Sequence, residues 1–161
     1  MSDHISKEVT PEVGEGPYYK TGSPQRNNVI GKGTNGEKLT VTGHVLDTLG
    51  NPVNGAWLDF WQADGNGEYD NIGYNLRGHQ FTDITGTYRL ETVIPAMYGT
   101  RTPHIHVKLR ATSLTLIVTS QLFFPDQARN KTDPIFNPKL VMAVTGSPGN
   151  TQASFDFVLN I

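Results

Sequence analysis

After residue 38, apolar and polar residues alternate with a period of two through most of the chain, the spacing that sends successive side chains to opposite faces of a strand. In LTVTGHVLD, Leu39, Val41 and Val45 share one face, and Gly43 falls in line with them as a bulge or a point of close approach. AWLDFWQAD sets Ala56, Leu58 and Phe60 against Trp57, Asp59 and Trp61. Both of its faces therefore carry large groups to cover, as in a strand of a sandwich. Further strands are predicted from Thr87 to Val93, His104 to Ala111, Leu114 to Phe124, Leu140 to Thr145 and Ser154 to Leu159. The last of these has a buried stripe of Phe155, Phe157 and Leu159. Gly50-Asn51-Pro52 marks a turn, and Thr82-Asp83 with Gly86 reads as the turn chemistry of a hairpin. About eight short strands separated by turn signals predict an all-β fold, an antiparallel β-sandwich. Residues 1–38 break the pattern. Pro17 holds GEGPYY extended, and the Gly- and Asn-rich run from Ser23 to Glu37 reads as a loop, so a long irregular N-terminal segment is expected.

Composition narrows the functions open to such a frame. A chain of 161 residues without a repeat at fixed period is expected to form a single domain over 1–161. Seventeen glycines and ten prolines fit a fold of many turns and little helix. The net charge of -2, with no run of Lys or Arg, leaves no electrostatic footprint for nucleic acid or an anionic membrane. The absence of cysteine excludes disulfides, thiolate nucleophiles and Cys-ligated metal sites. MSDHISKEV lacks the apolar core of a signal peptide and no apolar run reaches transmembrane length, which leads to the expectation of a soluble, cytoplasmic protein.

The chemistry concentrates in YGTRTPHIH, from Tyr98 to His106. His104 and His106 flank Ile105 on a predicted strand and so point the same way, a geometry suited to two ligands of one metal ion. Lys108 and Arg110 continue the alternation, so an exposed polar strand face is the competing reading. Three other places carry polar groups of interest. Tyr69 follows the Gly-rich turn of WQADGNGEY and can reach back over the end of a sheet. His79 is a candidate ligand by residue type only and reads as a surface-loop histidine. Gln121, in TSQLFFP, is an amide among apolar neighbours that needs either backbone partners or a polar pocket.

Taken together, EGPYY, WQADGNGEY, TDITGTYRLETVIPAMY, RTPHIH and SQLFF occur in the order and roughly the spacing of the intradiol ring-cleavage dioxygenases. The chain resembles the catalytic β-sandwich of the protocatechuate and catechol dioxygenases, most strongly from Gly14 to Phe124. The resemblance implies a mononuclear non-haem Fe(III) held by Tyr69, Tyr98, His104 and His106. It implies a catechol-type substrate that chelates the metal and displaces Tyr98, which acts as a base, while Arg101 stabilises the carbanion-like form of the ring. O₂ then attacks a ring carbon, and the product is a muconate-type diacid. Gln121 is implied beside the active site, and Tyr19, in EGPYY, as a wall of the substrate pocket. Ferric iron is a hard cation that favours anionic oxygen, which accords with two tyrosinates.

Only two residues separate Tyr98 from Arg101, shorter than in the protocatechuate enzymes, and the helical N-terminal region of the catechol enzymes is missing. A more open pocket and an atypical catechol are therefore expected. The oligomeric state is left open, a homo-oligomer included. The run from Val41 to Pro95 also resembles transthyretin-like or carboxypeptidase-regulatory-like sandwich modules, which are generally not enzymes. An iron-binding member without ring-cleaving activity is the third alternative.

Overall fold

Alternating strands that are apolar on one side must bury that side against another sheet. The computed structural model, which describes residues 6–161, shows two sheets meeting in this way. In chain order the strands are β1 (Lys38–Asp47), β2 (Trp57–Gln62), β3 (Arg77–Phe81), β4 (Thr87–Val93), β5 (His104–Arg110), β6 (Val118–Phe123), β7 (Ala143–Ser147), β8 (Asn150–Ser154) and β9 (Phe157–Leu159). One sheet runs β4-β1-β8-β7, with β9 also on β1, and the other runs β3-β2-β5-β6. Leu39, Val41, Val45 and Leu90 from the first meet Leu58, Phe60, Ile105, Val107 and Leu109 from the second in one core. The expected all-β sandwich is thus present. Its pairings are antiparallel except where β8 and β9 run parallel to β1.

The second sheet buries its other face as well. The N-terminal segment crosses it as a strap, irregular as its composition predicted. At one edge Val13 N donates to Thr119 O of β6 at 2.9 Å, and at the other Arg26 N donates to His79 O of β3 at 2.9 Å. Between these anchors Glu15 pairs with Lys108 of β5 at 2.6 Å, and Tyr19 donates to Asp59 of β2 at 2.9 Å. Spanning four strands requires about 14 Å, well within reach of the intervening residues when extended. Asp59, Arg77, His104, His106 and Gln121 are consequently buried although they face away from the apolar core.

Several boundaries differ from those the alternation predicted. Arg77–Phe81 is a strand, so His79 lies on a sheet edge rather than in a surface loop. The turn at Asp83–Gly86 does not close a hairpin, because β3 pairs with β2 in one sheet while β4 pairs with β1 in the other. The strand expected from Leu114 begins only at Val118, and Leu114 and Leu116 stand in the solvent. Leu140 ends a single 3₁₀ turn, Pro138–Leu140, before β7 begins at Ala143. The strand expected from Ser154 to Leu159 is divided between β8 and β9, because the Asp156 carboxylate takes the His44 backbone N–H at 2.9 Å where a carbonyl would otherwise accept it.

Gly43 is the point of close approach that its position in β1 suggested. A Cβ there would lie 1.8 Å from Phe155 O, the same carbonyl that accepts from Tyr88 Oη at 2.6 Å. Gly43→Ala is therefore expected to destabilise the protein by about 2–3 kcal/mol, as overpacking against backbone does. A denaturant midpoint within error of wild type would show that β8 and β9 can move away freely.

Candidate metal centre

Two loops and one strand bring the candidate ligands together at the end of the strapped face. The turn after β2 is tied by Asp64, whose carboxylate accepts from Asn66 N at 2.8 Å and Glu68 N at 3.0 Å. Gly67, at φ +81°, packs so closely that a Cβ would lie 2.2 Å from Met97 O. Ala96 N also donates to Asp64 O at 3.0 Å, so the loop carrying Tyr69 is clipped to the one carrying Tyr98. Tyr98 opens a tight turn closed by Arg101 N donating to Tyr98 O at 2.9 Å. His104 and His106 follow on β5, both 4% exposed, so the exposed-strand reading does not hold for them.

Tyr69 Oη lies 2.9 Å from His106 Nε2 and 3.4 Å from His104 Nε2, and the two Nε2 atoms are 3.0 Å apart. His104 Nδ1 donates to Thr102 O at 2.7 Å, which leaves its Nε2 as a bare lone pair aimed at the other two atoms. Three donors at these separations fit neighbouring ligands of one cation, since bonds of about 2.1 Å at right angles place donors about 3.0 Å apart. No group of three or more His, Cys, Asp or Glu side chains suited to a metal occurs among the described residues, so a cation here depends on phenol oxygen. The Tyr98 ring stands edge-on to Tyr69, with centroids 5.4 Å apart, and 37% of the residue is exposed.

The His106 ring is held by stacking. Trp61 lies flat against it, with centroids 4.7 Å apart and an interplanar angle of 7°. His106 Nδ1 and Trp61 Nε1 are both buried without a hydrogen bond to any described residue. Burial pushes His104 down to about 4 and His106 well below its ordinary range, so both imidazoles are neutral and free to ligate near neutrality. Burial also pushes the Tyr69 phenol well up, so ionising it requires a bound cation.

Arg101 and Gln121 meet at one side of the cluster, where Arg101 Nη2 donates to Gln121 Oε1 at 2.6 Å. Gln121 is 1% exposed, and its Nε2 reaches Gly14 O at 3.4 Å, so the amide has both a polar partner and a backbone partner. Tyr19 is placed apart from this group. Its hydroxyl bonds Asp59 and its ring rests on Trp61, while Tyr18 occupies the position beside the tyrosines. Adjacent residues of an extended segment point opposite ways, which is why one of the pair faces the cluster and the other does not. The Tyr18 ring lies 4.7 Å from that of Tyr69, and its hydroxyl bonds that of Tyr98. His79 is also apart, with Nδ1 3.1 Å from Ser23 Oγ. Arg77 and Asp133 carry no sequence signal of a role here. Arg77 donates to Tyr18 O and Asp70 O, and Asp133 accepts from Arg101.

The neutral imidazoles give a pH dependence with a definite sign. Because His104 titrates near 4 when folded and near 6.5 when unfolded, the unfolded chain binds more protons between those values. The stability of the metal-free protein is therefore expected to be retained above about pH 6.5 and to fall as pH drops towards 4. His104→Gln should flatten that slope in thermal melts, and an unchanged slope would show that the buried imidazole carries none of it.

Residues 14–161 match a family model described as dioxygenase. The dioxygenase domain of a dioxygenase–carbohydrate-binding protein fusion from Streptomyces sp. SirexAA-E superposes with a TM-score of 0.91 at 44% identity, covering 96% of this chain and 99% of that one. The protocatechuate 3,4-dioxygenase alpha chain of Pseudomonas putida is 31% identical, over 80% of this chain and 76% of its own length. Catechol 1,2-dioxygenase of a Pseudomonas sp. is 35% identical over 56% of this chain, a match that spans only 33% of that enzyme. With this match across nearly its whole length, the chain belongs to the intradiol dioxygenase family.

Proposed function

We propose that this protein is a non-haem Fe(III) dioxygenase that opens the ring of a catechol-type substrate between its two hydroxyl-bearing carbons, both atoms of O₂ ending in a muconate-type diacid. The observation that carries the proposal is the convergence of the Tyr69 phenol on two neutral histidine nitrogens beside Tyr98 and Arg101. A binding module of the same sandwich architecture has no use for so many buried polar groups. Tyr69, Tyr98, His104 and His106 would hold the iron, and the two phenolates favour the ferric state. Bound iron supplies a Lewis acid that acidifies the diol and draws electron density from the ring.

The remaining chemistry belongs to the chain. Tyr98, on an exposed turn, would accept a substrate proton at its phenolate oxygen. The Arg101 guanidinium, permanently charged and fixed by Gln121, stabilises negative charge that develops on the ring. Tyr18 offers the aromatic wall that Tyr19 was expected to provide. The exposure of Tyr98 and the short turn leading to Arg101 suit catechols with bulky substituents rather than a small enclosed one. Ionisation of Tyr69 on metal uptake means that loading releases protons and strengthens as pH rises.

Protein loaded with Fe(III) is expected to absorb in the visible by tyrosinate-to-metal charge transfer, with the band shifting when a catechol is added. Oxygen uptake should match product formed, and bulky catechols should be turned over at least as well as protocatechuate. Arg101→Ala should keep the band and lower kcat/KM by about 100- to 1,000-fold. A colourless preparation that takes up no Fe(III) would favour a non-catalytic module. A coloured one without oxygen uptake would indicate an iron binder that has lost activity.

A further inference from the structure

Arg101 and His104 take their positions from the same carboxylate. Asp133 lies beyond β6, just after the 3₁₀ turn Ala128–Lys131, and its side chain is fully buried. Asp133 Oδ2 accepts from Arg101 Nε at 2.8 Å and from Thr102 N at 2.8 Å, while Oδ1 accepts from Ile135 N at 2.9 Å. Thr102, held at its N–H in this way, uses the carbonyl of its next peptide unit to accept the His104 Nδ1–H at 2.7 Å. A second brace comes from the same segment. Thr102 Oγ1 donates to Asn130 Oδ1 at 2.6 Å, and Asn130 Nδ2 donates to Phe124 O at 2.8 Å.

We propose that Asp133 is a positioning residue of this site, fixing through one carboxylate both the guanidinium plane of Arg101 and, by way of the Thr102 backbone on either side of its Cα, the imidazole of His104. The proposal rests on the ring-cleavage reading for its Arg101 arm, whereas the His104 arm stands on metal ligation alone. A guanidinium has five N–H donors in a rigid fork. Asp133 takes the one on Nε and Gln121 one of those on Nη2. A single acceptor would allow the fork to rotate about Nε, and two acceptors on different atoms remove that freedom. The carboxylate is suited to the task because burial, which alone would push Asp133 up, is outweighed by the N–H donors of Ile135, Arg101 and Thr102. It therefore stays ionised. The Thr102 carbonyl fixes the tautomer that exposes Nε2 of His104, and partners of this kind set both the orientation and the basicity of a ligand.

The test uses the full chain with Asp133→Asn and Asp133→Ala, each checked for a wild-type circular dichroism spectrum. Asp133→Asn preserves volume and one acceptor and so guards against simple failure to fold. In metal-free protein, the Nδ1–H of His104 is expected as a slowly exchanging proton resonance that broadens or is lost in Asp133→Ala. Fe(III) affinity should fall by about 10- to 100-fold in that variant, with a shifted charge-transfer band. On turnover at saturating Fe(III), kcat should drop more than KM rises, and the loss in Asp133→Ala should shrink in an Arg101→Ala background, where only the His104 arm is left to lose. Folded variants whose iron affinity, imidazole resonance and kcat/KM stay within twofold of wild type would overturn the proposal. Additive effects with Arg101→Ala would overturn the Arg101 arm. If wild type cleaves no catechol, the ring-cleavage reading fails, and the resonance and iron affinity still decide the His104 arm.

Discussion

A β-sheet in a sandwich ordinarily keeps one face in water, and its polar residues need no partner but solvent. Here the strap from Val13 to Arg26 covers the outer face of β3-β2-β5-β6, and the polar groups on that face, Trp61 Nε1 and His106 Nδ1 excepted, find partners inside the protein. The pairs follow from this enclosure. Asp59 takes hydrogen bonds from Tyr19 and Ser23, Arg77 bonds backbone and amide oxygens, and Gln121 bonds Arg101 and Gly14. The two histidines are covered by the same strap, which keeps them neutral. A bare nitrogen lone pair in a dry position is an unfavourable group to bury and a good one to offer a cation.

The strap also sets the order of events along the sheet. Its middle supplies Tyr18 to the candidate site and Tyr19 to the layer behind it, with Trp61 between Tyr19 and His106. Aromatic stacking therefore supports His106 where a hydrogen bond supports His104, so the two imidazoles are held by different physics. One is aligned by the directional contact to Thr102 O, and the other by a flat face that fixes its plane.

The frame was largely legible because period-two alternation is a local signal, and Leu39, Val41, Val45, Leu58 and Phe60 all lie in the core it predicted. It failed where side chains stand in for backbone, as Asp156 does for His44, and at Arg77–Phe81, where a charged residue and a glycine hide an edge strand. The histidine pair was visible through its one-residue spacing on a strand, and Gln121 as an amide among apolar neighbours. Which tyrosine of EGPYY faces the ligands depends on the path of the strap, and no local pattern states it. Asp133 was out of reach for the same reason. It sits in the irregular segment beyond β6, and only the fold brings it to Arg101.

The clip between Gly67 and the Met97 carbonyl has a consequence for how such a site can diversify. It joins the two tyrosine-bearing loops at their bases, so neither can lengthen there without displacing a phenol. The tip behaves oppositely, since a side chain at Gly99 would meet no neighbouring atom. Variation is thereby channelled outward, to the turn between Tyr98 and Arg101, and away from the bases where Gly67 and Met97 meet. What lies over the buried polar cluster can in this way change by growth of one turn, while the clipped bases stay as they are.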